Sequence, residues 1–114
     1  MVNLVDTLFT LIPEIKKHHR PSDRIYQSID QDFKSCFQSL NQESIGFGEV
    51  EIFWPRVSLG NIDSFSYFDL GQMILYKFYE INRSKYKTSV DLGANIGIDS
   101  VVMASLGYDV VAVE

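Results

Sequence analysis

The sequence predicts an α/β chain whose carboxyl-terminal part opens a parallel sheet. Residues 88–114 read as strand, glycine-rich turn, helix and strand, the βαβ opening of such a sheet. Residues 4–40 carry apolar side chains mostly at helical steps, and a short section from 49 to 67 alternates polar and apolar residues in two places.

The elements follow in order. Leu4, Val5, Leu8, Leu11, Ile12 and Ile15 mark a first helix, which Pro13 should end or kink. The basic run Lys16-Lys-His-His-Arg20 reads as a solvated helix end. Adjacent helical histidines point about 100° apart, and no acidic or cysteine partner is spaced for a metal. Ser22 is placed to cap a second helix, with Ile25, Ile29, Phe33, Cys36, Phe37 and Leu40 on one face. Asn41 to Gly48 reads as a loop with glycine breakers at 46 and 48. Glu49 to Trp54 reads as a strand ended by Pro55, with Trp54 a core or rim aromatic. Leu59 to Ile62 is a turn, and Ser64 to Tyr67 alternates briefly. A third helix is expected from Asp69 to about Asn82, with Leu70, Met73, Ile74, Lys77, Phe78 and Ile81 on one face and Asp69 complementing the helix dipole. Composition divides the chain into a helical segment (1–47), a β section with its lead-in helix (48–87) and the βαβ unit (88–114).

Charge and composition exclude several classes. Lys and Arg number 10 against 15 Asp and Glu, a net charge of −5, so nothing here would offset a nucleic-acid backbone. A hydrophobic share of 46% argues against wholesale disorder. No apolar run approaches the ~20 residues that span a bilayer, and the first residues lack a basic start and a cleavage site. The single cysteine, Cys36, allows no intrachain disulfide, which points to a reducing, cytoplasmic location and a small buried hydrophobe.

Chemistry concentrates in Thr88-Ser-Val-Asp-Leu-Gly-Ala-Asn-Ile-Gly-Ile98. A strand from Thr88 to Leu92 enters a turn. A helix follows from about Ile96 to Leu106, with Ile98, Val101, Val102 and Ser105 on one face. Gly107 closes it, and a strand from Tyr108 to Val113 ends at Glu114. In open α/β sheets, ligands sit beyond the carboxyl ends of the strands. Gly93 and Gly97 let a ligand approach the backbone, and Glu114, 21 residues after Gly93, stands where a nucleotide-binding unit accepts from ribose hydroxyls. The G-x-x-x-G spacing puts Asn95 where a dinucleotide fingerprint has its middle glycine, and Asp91 would repel a pyrophosphate. A carboxylate there suits a ligand carrying an ammonium or a sulfonium. No G-K-[ST] phosphate loop is present.

At Val90-Asp-Leu-Gly-Ala-Asn-Ile-Gly97 the sequence resembles the first motif of class I S-adenosylmethionine-dependent methyltransferases. The D-x-G-A-N-x-G form, a small-residue helix and a strand ending in Val-Glu resemble the FkbM-type methyltransferases in particular. Tyr67-Phe-Asp-Leu-Gly71 and the helix after it resemble that family's approach to the motif, and nothing before residue 65 does. The resemblance implies that 88–114 is the start of a Rossmann-like class I methyltransferase sheet. It implies that Asp91, Gly93, Ala94, Asn95 and Gly97 line the methionine end of S-adenosylmethionine, and that Glu114 binds its ribose. It implies O-methylation of a sugar or small metabolite. The alternatives are an NAD-dependent oxidoreductase and a non-catalytic remnant or interaction module.

The sequence stops on an apolar strand, and an unpaired strand of that kind is an aggregation hazard. The chain is therefore expected to be the N-terminal part of a longer protein. It carries half a cofactor site and no recognisable base, so it is expected to be inactive in isolation.

Overall fold

A computed structural model describes residues 4–18, 20–40, 44–54 and 56–114. His19 of the basic run, the first residues of the 41–48 loop and Pro55 lie outside these, as do the side chains of residues 16–18, 59 and 62. The described residues form helices and three two-stranded sheets. It divides into two compact units, Met1–Ile74 and Leu75–Glu114.

In the first unit, helix α1 spans Leu4–Leu11. Proline has no N–H for the next intrahelical bond, and a tighter 3₁₀ turn takes over at Ile12. The buried face is Val5, Leu8, Phe9, Ile12 and Ile15. Leu4 and Leu11, expected on it, are exposed, while Phe9 is fully buried.

Helix α2 spans Arg24–Ser39, and its cap is Asp23 rather than Ser22: Asp23 Oδ1 accepts from the Ile25 amide at 2.8 Å. Phe33, Cys36 and Phe37 are buried, while Ile25 is exposed. Burial, and then the charge of Asp32, push the Cys36 thiol up from its ordinary value.

Residues 44–47 correct the expected loop. They form strand β1, Ser44–Phe47, antiparallel to β2, Val50–Phe53. Ile45 and Phe47 alternate into the core, and Gly46 sits inside the strand opposite Glu51. The turn is made by Gly48 at φ 63°. Asp6 Oδ1 accepts from the Gly48 amide at 3.0 Å, tying α1 to this hairpin.

A second small hairpin joins β3, Ser58–Leu59, to β4, Ile62–Asp63. Ser64–Tyr67 is a 3₁₀ turn, not a strand, because Asp63 Oδ1 accepts from the Phe65 amide at 2.9 Å and starts it. Arg56 reaches from Asp63 (3.1 Å) to the Gln38 carbonyl at the end of α2 (3.2 Å). The core is aromatic. Phe37 stacks on Phe68 with ring centres 4.7 Å apart, Phe9 meets Phe47 at 5.2 Å, and half-buried Trp54 sets its edge on Phe68 at 6.0 Å.

Helix α3 spans Leu70–Asn82. Asp69 Oδ1 accepts from the Gln72 amide, and Asp30 Oδ1 from the Leu70 amide, both at 2.9 Å. Leu70, Met73 and Tyr76 are its buried residues. Phe78 and Ile81, expected on that face, are exposed because burial follows steps of three from Leu70.

In the second unit, β5, Thr88–Leu92, runs parallel to β6, Asp109–Val113, with Val90 opposite Val111. Helix α4, Ile98–Ser105, connects them, starting two residues later than expected. Ile98, Val102, Met103 and Leu106 are buried, while Val101 is exposed. Gly107, at φ 93°, closes the helix, and the Tyr108 hydroxyl donates to the Tyr79 carbonyl at 2.7 Å.

Candidate cofactor-binding turn

Valine and threonine favour extended backbone, and Thr88-Ser-Val fixes β5 as a strand. Its period of two turns Ser89 and Asp91 to the half-buried face and leaves Thr88, Val90 and Leu92 exposed. The chain then reverses through three residues with positive φ: Gly93 at 74°, Asn95 at 50° and Gly97 at 82°. Glycine adopts this region without penalty, and asparagine is among the few other residues that tolerate it. A Cβ built at Gly93 or Gly97 would meet nothing within 4 Å, so the demand for glycine comes from the backbone and the space above it is open.

The end of β6 holds this turn in place. The Val113 carbonyl accepts from the Gly93 amide at 2.7 Å and the Ala94 amide at 3.1 Å. Glu114 Oε2 accepts from the Asn95 amide at 2.5 Å. The Ala94 carbonyl accepts from the Gly97 amide at 2.7 Å, which closes the turn into α4. Gly93, Ala94, Asn95, Gly97 and Glu114 are thereby gathered at the carboxyl end of the two-stranded sheet. Asp91 stands one step back, its Oδ2 accepting from the Ser100 hydroxyl at 2.5 Å.

Two further acidic or phenolic groups adjoin Asp91, and neither was singled out from the sequence. Asp99 lies in the first turn of α4, and its Oδ1 is buried without a hydrogen-bond partner. Burial first, and the charge of Asp91 second, push its carboxyl above the ordinary carboxylate range. The Tyr79 phenol is pushed up to about 12 by burial, Asp99, Asp91 and Tyr108, so it keeps its proton at neutral pH. The available signal was spacing: Asp99 and Ser100 are the residues that the first turn of α4 presents once the helix starts at Ile98.

A groove of about 270 Å³ runs along β5, lined by Tyr79, Asn82, Ser89, Asp91 and Tyr108 among others. Of the predicted site residues the groove takes in Asp91, and Gly93, Ala94, Asn95, Gly97 and Glu114 lie outside its lining. Asp91 and the partly desolvated Asp99 make this region acidic. Such a site favours a cation and disfavours a phosphate.

No protein-family model, curated protein or solved structure matches this chain. Among the described residues, no helix is long and apolar enough to cross a membrane. No group of three His, Cys, Asp or Glu among them could hold a metal ion.

Proposed function

We propose that this chain is an S-adenosylmethionine-dependent methyltransferase, or the cofactor-binding part of one, acting on an oxygen or nitrogen of a sugar or small metabolite. The observation that carries the reading is the turn at 93–97. It combines open glycine backbone, a carboxylate at the end of β5 and a second carboxylate, Glu114, at the end of β6. On this reading β5–α4–β6 is the opening of a Rossmann-like class I methyltransferase sheet.

The residues present fit that cofactor. The space over Gly93 and Gly97 leaves the methionine end of the cofactor without a Cβ in the way. Asp91 offers a carboxylate to the ammonium of the methionine end, and its charge favours a sulfonium nearby. Glu114 spends one oxygen on the Asn95 amide and keeps the other for ribose hydroxyls. When bound, the group supplies an electrophilic methyl on sulfur, which an acceptor oxygen or nitrogen attacks in line. The chain's part is alignment of the reacting atoms. Tyr79, held protonated, is a donor rather than a base.

A nicotinamide dinucleotide fits less well. Its pyrophosphate would meet Asp91 and Glu114, and Asn95 carries a side chain where that group needs close backbone approach. The reading goes with a cytoplasmic location and a small-molecule acceptor.

Calorimetric titration of the full-length protein with S-adenosylhomocysteine tests it. Binding is expected, with NAD failing to compete and with affinity lost in Asp91→Ala and Glu114→Ala. Unchanged affinity in both variants would remove the site assignment, and NAD binding that excludes S-adenosylhomocysteine would replace it with a dehydrogenase.

A further inference from the structure

We infer that Ser100 is a positioning residue for the cofactor's amino-acid end: it fixes the Asp91 carboxylate so that one oxygen faces the ammonium. The inference rests on the cofactor reading above and names how that site is set. Three features of the second unit carry it.

The first is the bond itself. The Ser100 hydroxyl donates to Asp91 Oδ2 at 2.5 Å in a partly buried setting, joining the first turn of α4 to the end of β5. Hydrogen bonds to a charged group in such a setting are short and strong. Among the described residues, no hydrogen bond from the protein reaches Asp91 Oδ1, so one oxygen is held and one is left.

The second is where Ser100 sits. The capping position of α4 is Gly97, and Ser100 is the third residue of the helix, past the position from which a side chain caps it. Its hydroxyl is committed to a carboxylate outside the helix.

The third is the neighbour. Asp99, next to Ser100, has a buried oxygen with no partner and feels the charge of Asp91. Like charges repel, so the charge of Asp91 raises the Asp99 carboxyl, while the Ser100 hydroxyl holds Asp91 through its Oδ2. A ligand ammonium placed at the open oxygen relieves the repulsion, so the same arrangement selects a cationic end group.

The test compares two probes on the full-length protein. S-adenosylhomocysteine carries the amino-acid end. 5′-Methylthioadenosine shares the nucleoside and the thioether and lacks that end. Ser100→Ala is expected to weaken S-adenosylhomocysteine by about ten-fold, the scale of a lost hydrogen bond to a charged group, and to leave 5′-methylthioadenosine unchanged. Ser100→Thr, which keeps the hydroxyl, is expected to restore affinity. Equal weakening of both probes would mean a general structural role and overturn the inference. So would undiminished S-adenosylhomocysteine binding in Ser100→Ala. If the unmutated protein binds neither probe, the cofactor reading itself fails, and this inference with it.

Discussion

The two units of this chain spend their apolar residues differently. Among the described residues, fifteen buried hydrophobic ones belong to the first unit, from Val5 to Met73, and six to the second, from Tyr76 to Tyr108. Exposed large hydrophobics among the described residues run the other way: Leu4, Leu11, Ile25, Phe53 and Val57 in the first, against ten in the second, among them Val90, Leu92, Val111 and Val113. The first unit has an aromatic core, and its charged side chains serve turns: Asp6 at Gly48, Asp23 at α2 and Asp63 at the 3₁₀ turn. The second has a thin core, a parallel ribbon that exposes Val90, Leu92, Val111 and Val113, and a turn built on positive φ. Parallel sheets are normally covered on both faces. The contrast separates a region specified by packing from one specified by backbone conformation and charge, and the two should answer differently to substitution.

The largest effect is expected in the first unit. Phe37 is fully buried and stacks on Phe68 at 4.7 Å. Phe37→Ala should cost about 3–5 kcal/mol by urea unfolding, a large share of the roughly 5–15 kcal/mol of a typical domain. A loss below about 1 kcal/mol would break the comparison, because it would mean that the aromatic cluster is not what holds this unit together.

Gly97→Ala should act through the backbone alone, since nothing lies within 4 Å of the added Cβ while φ is 82°. A net destabilisation of about 1 kcal/mol is expected, the left-handed penalty less the entropy gained by removing a glycine. Thermal denaturation reads it. No loss would show that residue 97 has another conformation in solution.

The smallest effect concerns Asp99. Its carboxyl is raised in the folded chain, so the folded state binds its proton to higher pH than the unfolded state does. Stability from this group is present in acid and is lost as pH rises from the ordinary carboxylate value through the raised one. Asp99→Asn should therefore raise Tm modestly at neutral pH and not at about pH 3, where the native carboxyl is already protonated. A gain of equal size at both pH values would place its cause outside Asp91's charge and burial.

How much of this was legible in the sequence follows the same division. The β5–α4–β6 order could be read directly, because β-branched runs, spaced glycines and Gly107 each act locally. The partners of individual residues could not. Leu4, Leu11, Phe78 and Ile81 satisfy helical spacing but face solvent, since a helical stripe gives a face and not what packs on it. Gly46 looked like a breaker and is a strand residue, because Ile45 and Phe47 gain more by burial than glycine loses. Ser64 to Tyr67 alternates like a strand, yet the Asp63 side chain diverts it into a 3₁₀ turn. At the candidate site, Asp91, the glycines and Glu114 were legible from spacing. The Ser100–Asp91 bond was not, because a helix start placed at Ile96 points residue 100 in a different direction from one placed at Ile98.

The most direct test of the central claim, that the turn between β5 and α4 is a cofactor site, is an amide NMR titration of the full-length protein with S-adenosylhomocysteine. The account predicts saturable shifts centred on Asp91, Gly93, Ala94, Asn95, Gly97 and Glu114. Saturable binding whose shifts are centred elsewhere, or no shifts at all, would contradict it.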